Sequence, residues 1–157
     1  MRICHDLLIN KLYGNSQMII AKGTEIVDEF IRALNDRSEV RVLQTPISKN
    51  VFEYSGRNKV LLYVKGRAQY PYRWGVTKNV IQRLRGESKP WIVILLFESH
   101  EKGYLLTTRD TDHYIDGVWP LGADGDYKLA TGSYLANNFP LYSLDSMVGK
   151  IESISDL

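Results

Sequence analysis

Apolar residues recur at helical spacing between Ile26 and Leu34, where Ile26, Val27, Phe30, Ile31 and Leu34 form one stripe. Glu25, Asp28, Glu29 and Arg32 fall largely off it, so EIVDEFIRALN predicts an amphipathic helix. Thr24 stands where an N-cap belongs, and Glu25 is an acid in the first turn, where the helix dipole favours one. The period then changes to two. VRVLQT, from Val40 to Thr45, alternates apolar and polar residues and predicts a strand ended by Pro46. NVFEYS and NKVLLYVKG flank Gly56-Arg57 and predict a hairpin with a two-residue turn, glycine at its first central position. KNVIQRLR predicts a second helix, capped by Thr77, with Val80, Ile81 and Leu84 apolar and Gly86 ending it. WIVILLF, from Trp91 to Phe97, is apolar throughout and reads as a central strand covered on both faces. SHEKG is then a turn and YLLTT a further strand. Beyond Asp110 the pattern is loop-rich until a short last helix from Ser143, burying Leu144, Met147, Val148 and Ile151.

Helix, three strands, helix and two strands define an α/β or α+β domain, a central mixed sheet flanked by helices. The 157 residues fit one domain, with a core over 24–108 and a loop-rich extension over 109–157. Composition supports a globular chain, with 44% hydrophobic and 24% charged residues. The single cysteine, Cys4, cannot close an internal disulfide, which points to a reducing cytoplasm. No apolar run approaches a membrane span, and MRICHDLLINKLYG carries Asp6 and Asn10 within its apolar segment, against a signal peptide. It reads instead as a short helix or strand packing on the domain.

A net charge of +2 conceals a strong polarity along the chain. Arg57, Lys59, Lys65, Arg67, Arg73, Lys78, Arg83, Arg85 and Lys89 are opposed within their segment by Glu87 alone. Glu98, Glu101, Asp110, Asp112, Asp116, Asp124 and Asp126 dominate the next stretch, against Lys102 and Arg109. In the basic segment Tyr70, Tyr72 and Trp74 interleave with the cations. That combination suits a nucleic acid, cations neutralising phosphates while rings stack on unpaired bases. The expected contacts are Lys65, Arg67, Tyr72, Arg73, Trp74, Lys78, Arg83 and Arg85, with the helix N-terminus at Thr77 adding an anion site.

The element order, with a third strand ending in YVKGR, resembles the core of the PD-(D/E)XK nuclease superfamily, the restriction-endonuclease-like fold. The similarity runs from about Thr24 to Thr108. It implies a Mg²⁺-dependent phosphodiesterase, in which carboxylates hold the metal and a lysine neutralises charge near the attacking water. Carried onto this chain, Lys65 is the lysine, Glu25 or Glu29 the acid of the first helix, and residue 63 the acid of the strand. Residue 63 is Tyr. Glu53 on the preceding strand is its substitute, giving catalytic Lys65 and Glu53, and metal ligands Glu25, Glu29 and Glu53. Register decides whether Glu53 can serve. A two-residue turn sets Tyr54 opposite Lys59 and Glu53 opposite Val60, on the face away from Lys65, whereas a three-residue loop or a bulge reverses the parity.

Other chemistries find less support. Asp124 and Asp126 lack the further ligands and closing Glu of a calcium loop. His5, His100 and His113 have no metal-ligand spacing, and no nucleophile elbow or glycine-rich phosphate loop is present. A nucleic-acid-binding protein with a nuclease-like core is therefore the leading expectation. The alternative is a non-catalytic interaction or assembly module, its acidic and basic segments pairing between two copies as a homodimer.

Overall fold

The computed structural model describes residues 15–154, with side chains from residue 22 onward. Cys4, His5 and the expected element in 1–14 lie outside the described residues. The chain forms α1 (Asn15–Asn35), β1 (Arg41–Thr45), β2 (Ser48–Ser55), β3 (Lys59–Arg67), β4 (Arg73–Thr77), α2 (Lys78–Arg85) and β5 (Trp91–Phe97). It continues through β6 (Gly103–Leu106), α3 (Thr108–Ile115), β7 (Asp126–Ala130), a 3₁₀ turn (Ser133–Leu135) and α4 (Leu144–Ile154). The main sheet has the order β1-β2-β3-β5-β6, and β4 pairs with β7 in a second, two-stranded sheet. β1, β2 and β3 form an antiparallel meander, β3 and β5 are parallel, and β5 and β6 antiparallel. The expected central mixed sheet flanked by helices is what the chain forms.

Alternation along the strands divides the core in two. Even-numbered side chains of β3 and β5 (Val60, Leu62, Val64, Ile92, Ile94 and Leu96) meet Phe30 and Leu34 of α1, and Met147 and Ile151 of α4. The odd-numbered set (Leu61, Tyr63, Val93, Leu95) meets Ile81 and Leu84 of α2, Tyr114 of α3, and Trp74, Val76 and Leu129 of the small sheet. All seven residues of β5 are buried, as a strand covered on both faces requires. No helix among the described residues is long and apolar enough to cross a membrane.

Three expectations need correction. Thr24 caps nothing: it lies inside α1, whose helix already runs from Asn15. Gly23, a residue that weakens a helix interior, is tolerated there because the helix backbone touches β3 at Gly66, where a Cβ on either glycine would come within 3.0 Å of the other's carbonyl oxygen. The stretch from Arg73 to Thr77, where the pattern predicts no element, is β4, whose partner β7 lies in the supposed loop-rich extension. That extension also holds α3, closed by a capping box in which Thr107 accepts from the Asp110 N–H and Asp110 accepts from the Thr107 N–H. The last helix starts as expected, the Ser146 N–H donating to Ser143 Oγ at 3.1 Å.

Candidate nucleic-acid interface

Hairpin parity decides which side chains can share a site with Lys65. Ser55 pairs with Lys59, Tyr54 with Val60 and Glu53 with Leu61, so three residues, Gly56, Arg57 and Asn58, form the loop. The expected two-residue turn is thus corrected: the loop closes on the Gly56 N–H donating to Asn58 O at 3.1 Å and is braced by a distant residue. Glu152 of α4 accepts from Tyr54 Oη at 2.6 Å and from the Arg57 backbone N–H at 3.3 Å, shaping the loop from outside the hairpin. Burial and the Glu152 carboxylate together keep the Tyr54 phenol protonated far above its ordinary range.

Glu53 therefore shares a face with Tyr63 and Lys65, yet it does not reach the lysine. Its partner Leu61 stands four residues before Lys65, about 13 Å along the strand at ~3.3 Å per residue. The Glu53 carboxylate instead lies 3.0 Å from Lys89 Nζ. Glu25 and Glu29 are exposed on α1, the helix that covers the opposite face, and Glu29 lies 3.4 Å from His100. Among the described residues no three His, Cys, Asp or Glu side chains are grouped to hold a metal. The donor set for Mg²⁺ that the resemblance implies is not brought together.

Where the resemblance wants a carboxylate, Tyr63 does a structural job. Its buried hydroxyl accepts the Thr77 backbone N–H at 3.0 Å, tying the end of β4 to the main sheet. Thr77 is the N-cap of α2, as the sequence predicts, but its hydroxyl donates to Asp126 Oδ1 at 2.9 Å and makes no helix cap. The next N–H, that of Lys78, donates to Gly125 O at 3.0 Å. These bonds occupy the N–H groups of Thr77 and Lys78, the first two at the start of α2. Removing the acceptor by Tyr63→Phe is expected to destabilise the fold by about 1–2 kcal/mol, since the Thr77 N–H loses its partner. A denaturant titration checks this, and an unchanged midpoint would deny the bond any weight.

Lys65 follows on the same face, half-buried near Asp126. Burial pushes its ammonium below the ordinary lysine range, the charges of Lys49 and Lys128 push the same way, and Asp126 opposes them. Lys49 comes from β2 and Lys128 from β7, so tertiary structure alone assembles this cationic group.

Two clefts open beside it. One, of about 540 Å³, lies at the carboxyl end of β3 and is lined by Asp28, Lys49, Asn50, Lys65, Arg67 and Gln69 among others. The second, of about 530 Å³, is lined by Arg67, Arg73, Lys128, Pro120 and Tyr134 and the edge of the small sheet. Arg67 belongs to both. Among the described residues, Lys49, Lys65, Arg67 and Arg73 make no ion pair within 4.0 Å, while Lys128 is held by Asp124 and Asp126. The carboxyl end of a parallel strand pair, here β3 and β5, is where open sheets tend to hold ligands.

The expected contact residues divide accordingly. Lys65, Arg67 and Arg73 converge on the clefts. Trp74 does not: it is 3% exposed, and its indole N–H donates to Leu96 O at 3.0 Å, so it is core and offers no face to a base. Tyr72 is partly exposed, with its hydroxyl donating to Glu98 at 3.1 Å. On α2, Lys78 is exposed, Arg83 donates to Ile47 O at 2.8 Å, and Arg85 is ion-paired with Asp112. Sequence reasoning missed Asp28, Lys49, Asp126 and Lys128. Only β7 carried a signal for its share: in DYKLA, Tyr127 and Leu129 alternate with outward Asp126 and Lys128.

Comparisons with family models, curated proteins and solved structures gave no match.

Proposed function

We propose that this protein binds nucleic acid through the basic clefts at the end of β3, on a core whose element order resembles that of the PD-(D/E)XK nucleases. The observation that carries the reading is the convergence of Lys49, Lys65, Arg67, Arg73 and Lys128, drawn from four strands, on two clefts joined at Arg67. Cations that merely solubilise a surface gain nothing by gathering in a concave site against their own repulsion, and a polyphosphate ligand offsets that cost. Arg67 and Arg73 present planar forks suited to phosphate oxygens, while Lys49 and Lys65 act as point charges. Asp126 offsets part of the charge around Lys65, and Asp28 bounds the first cleft. With Tyr63 in the strand position and Glu53 held by Lys89, the proposed role of the clefts is binding.

Affinity measured by fluorescence anisotropy is expected to fall linearly on a log–log plot against salt, with a slope of about −3 for single strands or about −4 for duplex if four to five phosphates are neutralised. Absence of affinity for both DNA and RNA at low salt would overturn the proposal. A pH series adds a second expected outcome. Because Lys65 titrates below the ordinary lysine range, affinity will begin to fall as pH rises toward that range, before exposed lysines deprotonate. Stability of the free protein moves the other way in that window, since the unfolded chain binds the proton more tightly than the fold does. Lys65→Arg removes the early alkaline loss, and its persistence in that variant would assign it to another group.

A further inference from the structure

Beside the clefts lies a run of aromatic rings that the phosphate contacts do not use. Arg67 of β3 is paired in register with Phe97 of β5, so their side chains leave the sheet on the same face. Tyr72 packs on Phe97 with ring centroids 5.1 Å apart, and Tyr70 meets Tyr72 edge-on at 5.8 Å. On the other side Phe97 meets Tyr142 edge-on at 6.4 Å. The two rings at the ends of the run are open to solvent, Tyr70 at 78% and Tyr142 at 66% exposed. The two in the middle are supported, Tyr72 through its bond to Glu98, which is itself ion-paired with Lys102 at 2.7 Å, and Phe97 by burial. Arg73 follows Tyr72 directly in β4.

We infer that the nucleic acid held by these clefts is single-stranded, its phosphates tracking Arg67 and Arg73 while unpaired bases stack on Tyr70 and Tyr142. This rests on the nucleic-acid reading above. Open rings beside uncompensated guanidinium groups are the arrangement that sequence-tolerant single-strand binders use, and every base has a face to offer. A duplex keeps its base faces stacked inside and shows a protein only base edges and backbone, so exposed rings gain nothing from it. The two exposed tyrosines come from distant segments, the β3–β4 connection and the chain just before α4, which is why the basic segment alone pointed to Trp74 and not to Tyr142.

The test uses the whole chain and labelled oligonucleotides of about 12 nucleotides, within the span that single-stranded sites occupy. Single-stranded DNA, single-stranded RNA and the corresponding duplex are titrated in parallel by anisotropy. The expected result is at least about tenfold tighter binding of a single strand than of duplex, and a loss of about tenfold for Tyr70→Ala and for Tyr142→Ala on the single strand only. Tyr70→Phe keeps the ring and retains the affinity. Both tyrosines are exposed, so folding of the variants is checked simply by circular dichroism. Duplex bound as tightly as single strand, or alanine variants that bind like the parent, overturns the single-strand inference and leaves nucleic-acid binding standing. Binding to none of the three overturns both.

Discussion

An Arg67→Glu variant is expected to bind an oligonucleotide at least about 30-fold more weakly than the parent at low salt, a loss on the order of 2 kcal/mol. Among the described residues Arg67 is the one cation that lines both clefts, so on the proposed reading its reversal removes a charge-assisted phosphate contact and puts a repulsive charge at their junction. The slope of log affinity against log salt should shrink by about 0.7–0.9 at the same time, as one neutralised phosphate is lost. Stability should change by less than about 0.5 kcal/mol, because Arg67 is exposed and makes no ion pair among the described residues that its loss would leave open. Arg85→Ala provides the contrast. That guanidinium is ion-paired with Asp112 on α3, away from the clefts' lining, and its removal should leave affinity within about threefold. If Arg67→Glu binds as the parent does, or if Arg85→Ala costs as much, the interface lies elsewhere.

Gly66→Ala tests the frame beneath the site. A Cβ there would stand 2.7 Å from the Gly23 carbonyl oxygen and 3.2 Å from Val27 Cγ2. The oxygen belongs to helix backbone, so relief requires α1 to move off β3 and loosen the packing of Val27 and Phe30. Overpacking of this kind costs about 3 kcal/mol, which for a domain of this size is a fall in Tm of roughly 6–12 °C. Gly23→Ala meets the same contact from the other side, at 2.9 Å from Gly66 O, but recovers up to about 1 kcal/mol of helix propensity. The order of the two effects is therefore expected to be Gly66→Ala the larger, and the double variant less than their sum, because one displacement of α1 relieves both clashes. Thermal unfolding followed by circular dichroism checks the order. Equal midpoints for the parent and Gly66→Ala would mean that the contact has slack.

Much of the fold could be read directly from the pattern. Seven consecutive apolar residues in β5, the alternation of β1 and the stripes of α2 and α4 each announce an element whose burial follows from the residues it contains. The readings that failed are instructive. RWGVT is too short and too polar to separate from a loop without its partner DYKLA, some fifty residues on, because a two-stranded sheet exists only as a pair. α3 was readable in principle, since Thr107-Thr108-Arg109-Asp110 is a capping box, but its acids drew attention as charge and not as a helix start. Thr24 read as a helix start, when the lack of a side chain at Gly23 beside it is what lets an unbroken helix approach β3. Of the site, Lys65, Arg67 and Arg73 were legible from a basic stretch around a strand end, while Lys49 had no local mark and Lys128 only the alternation of its strand.

Local pattern thus determined α2, α4 and the strands of the main sheet, the two faces of that sheet and the presence of a cationic strand end, because periodicity and burial act over neighbouring residues. Tertiary structure decided the rest. The β2–β3 hairpin has a three-residue loop, which Glu152, nearly a hundred residues away, braces through Tyr54 and the Arg57 N–H. The same folding buried Trp74 as core and tied Glu53 to Lys89. It also brought β2, β3, β4 and β7 together so that their cations share two clefts. Charge acts through space and not along the chain, so which cations form a site is known only once the strands are packed.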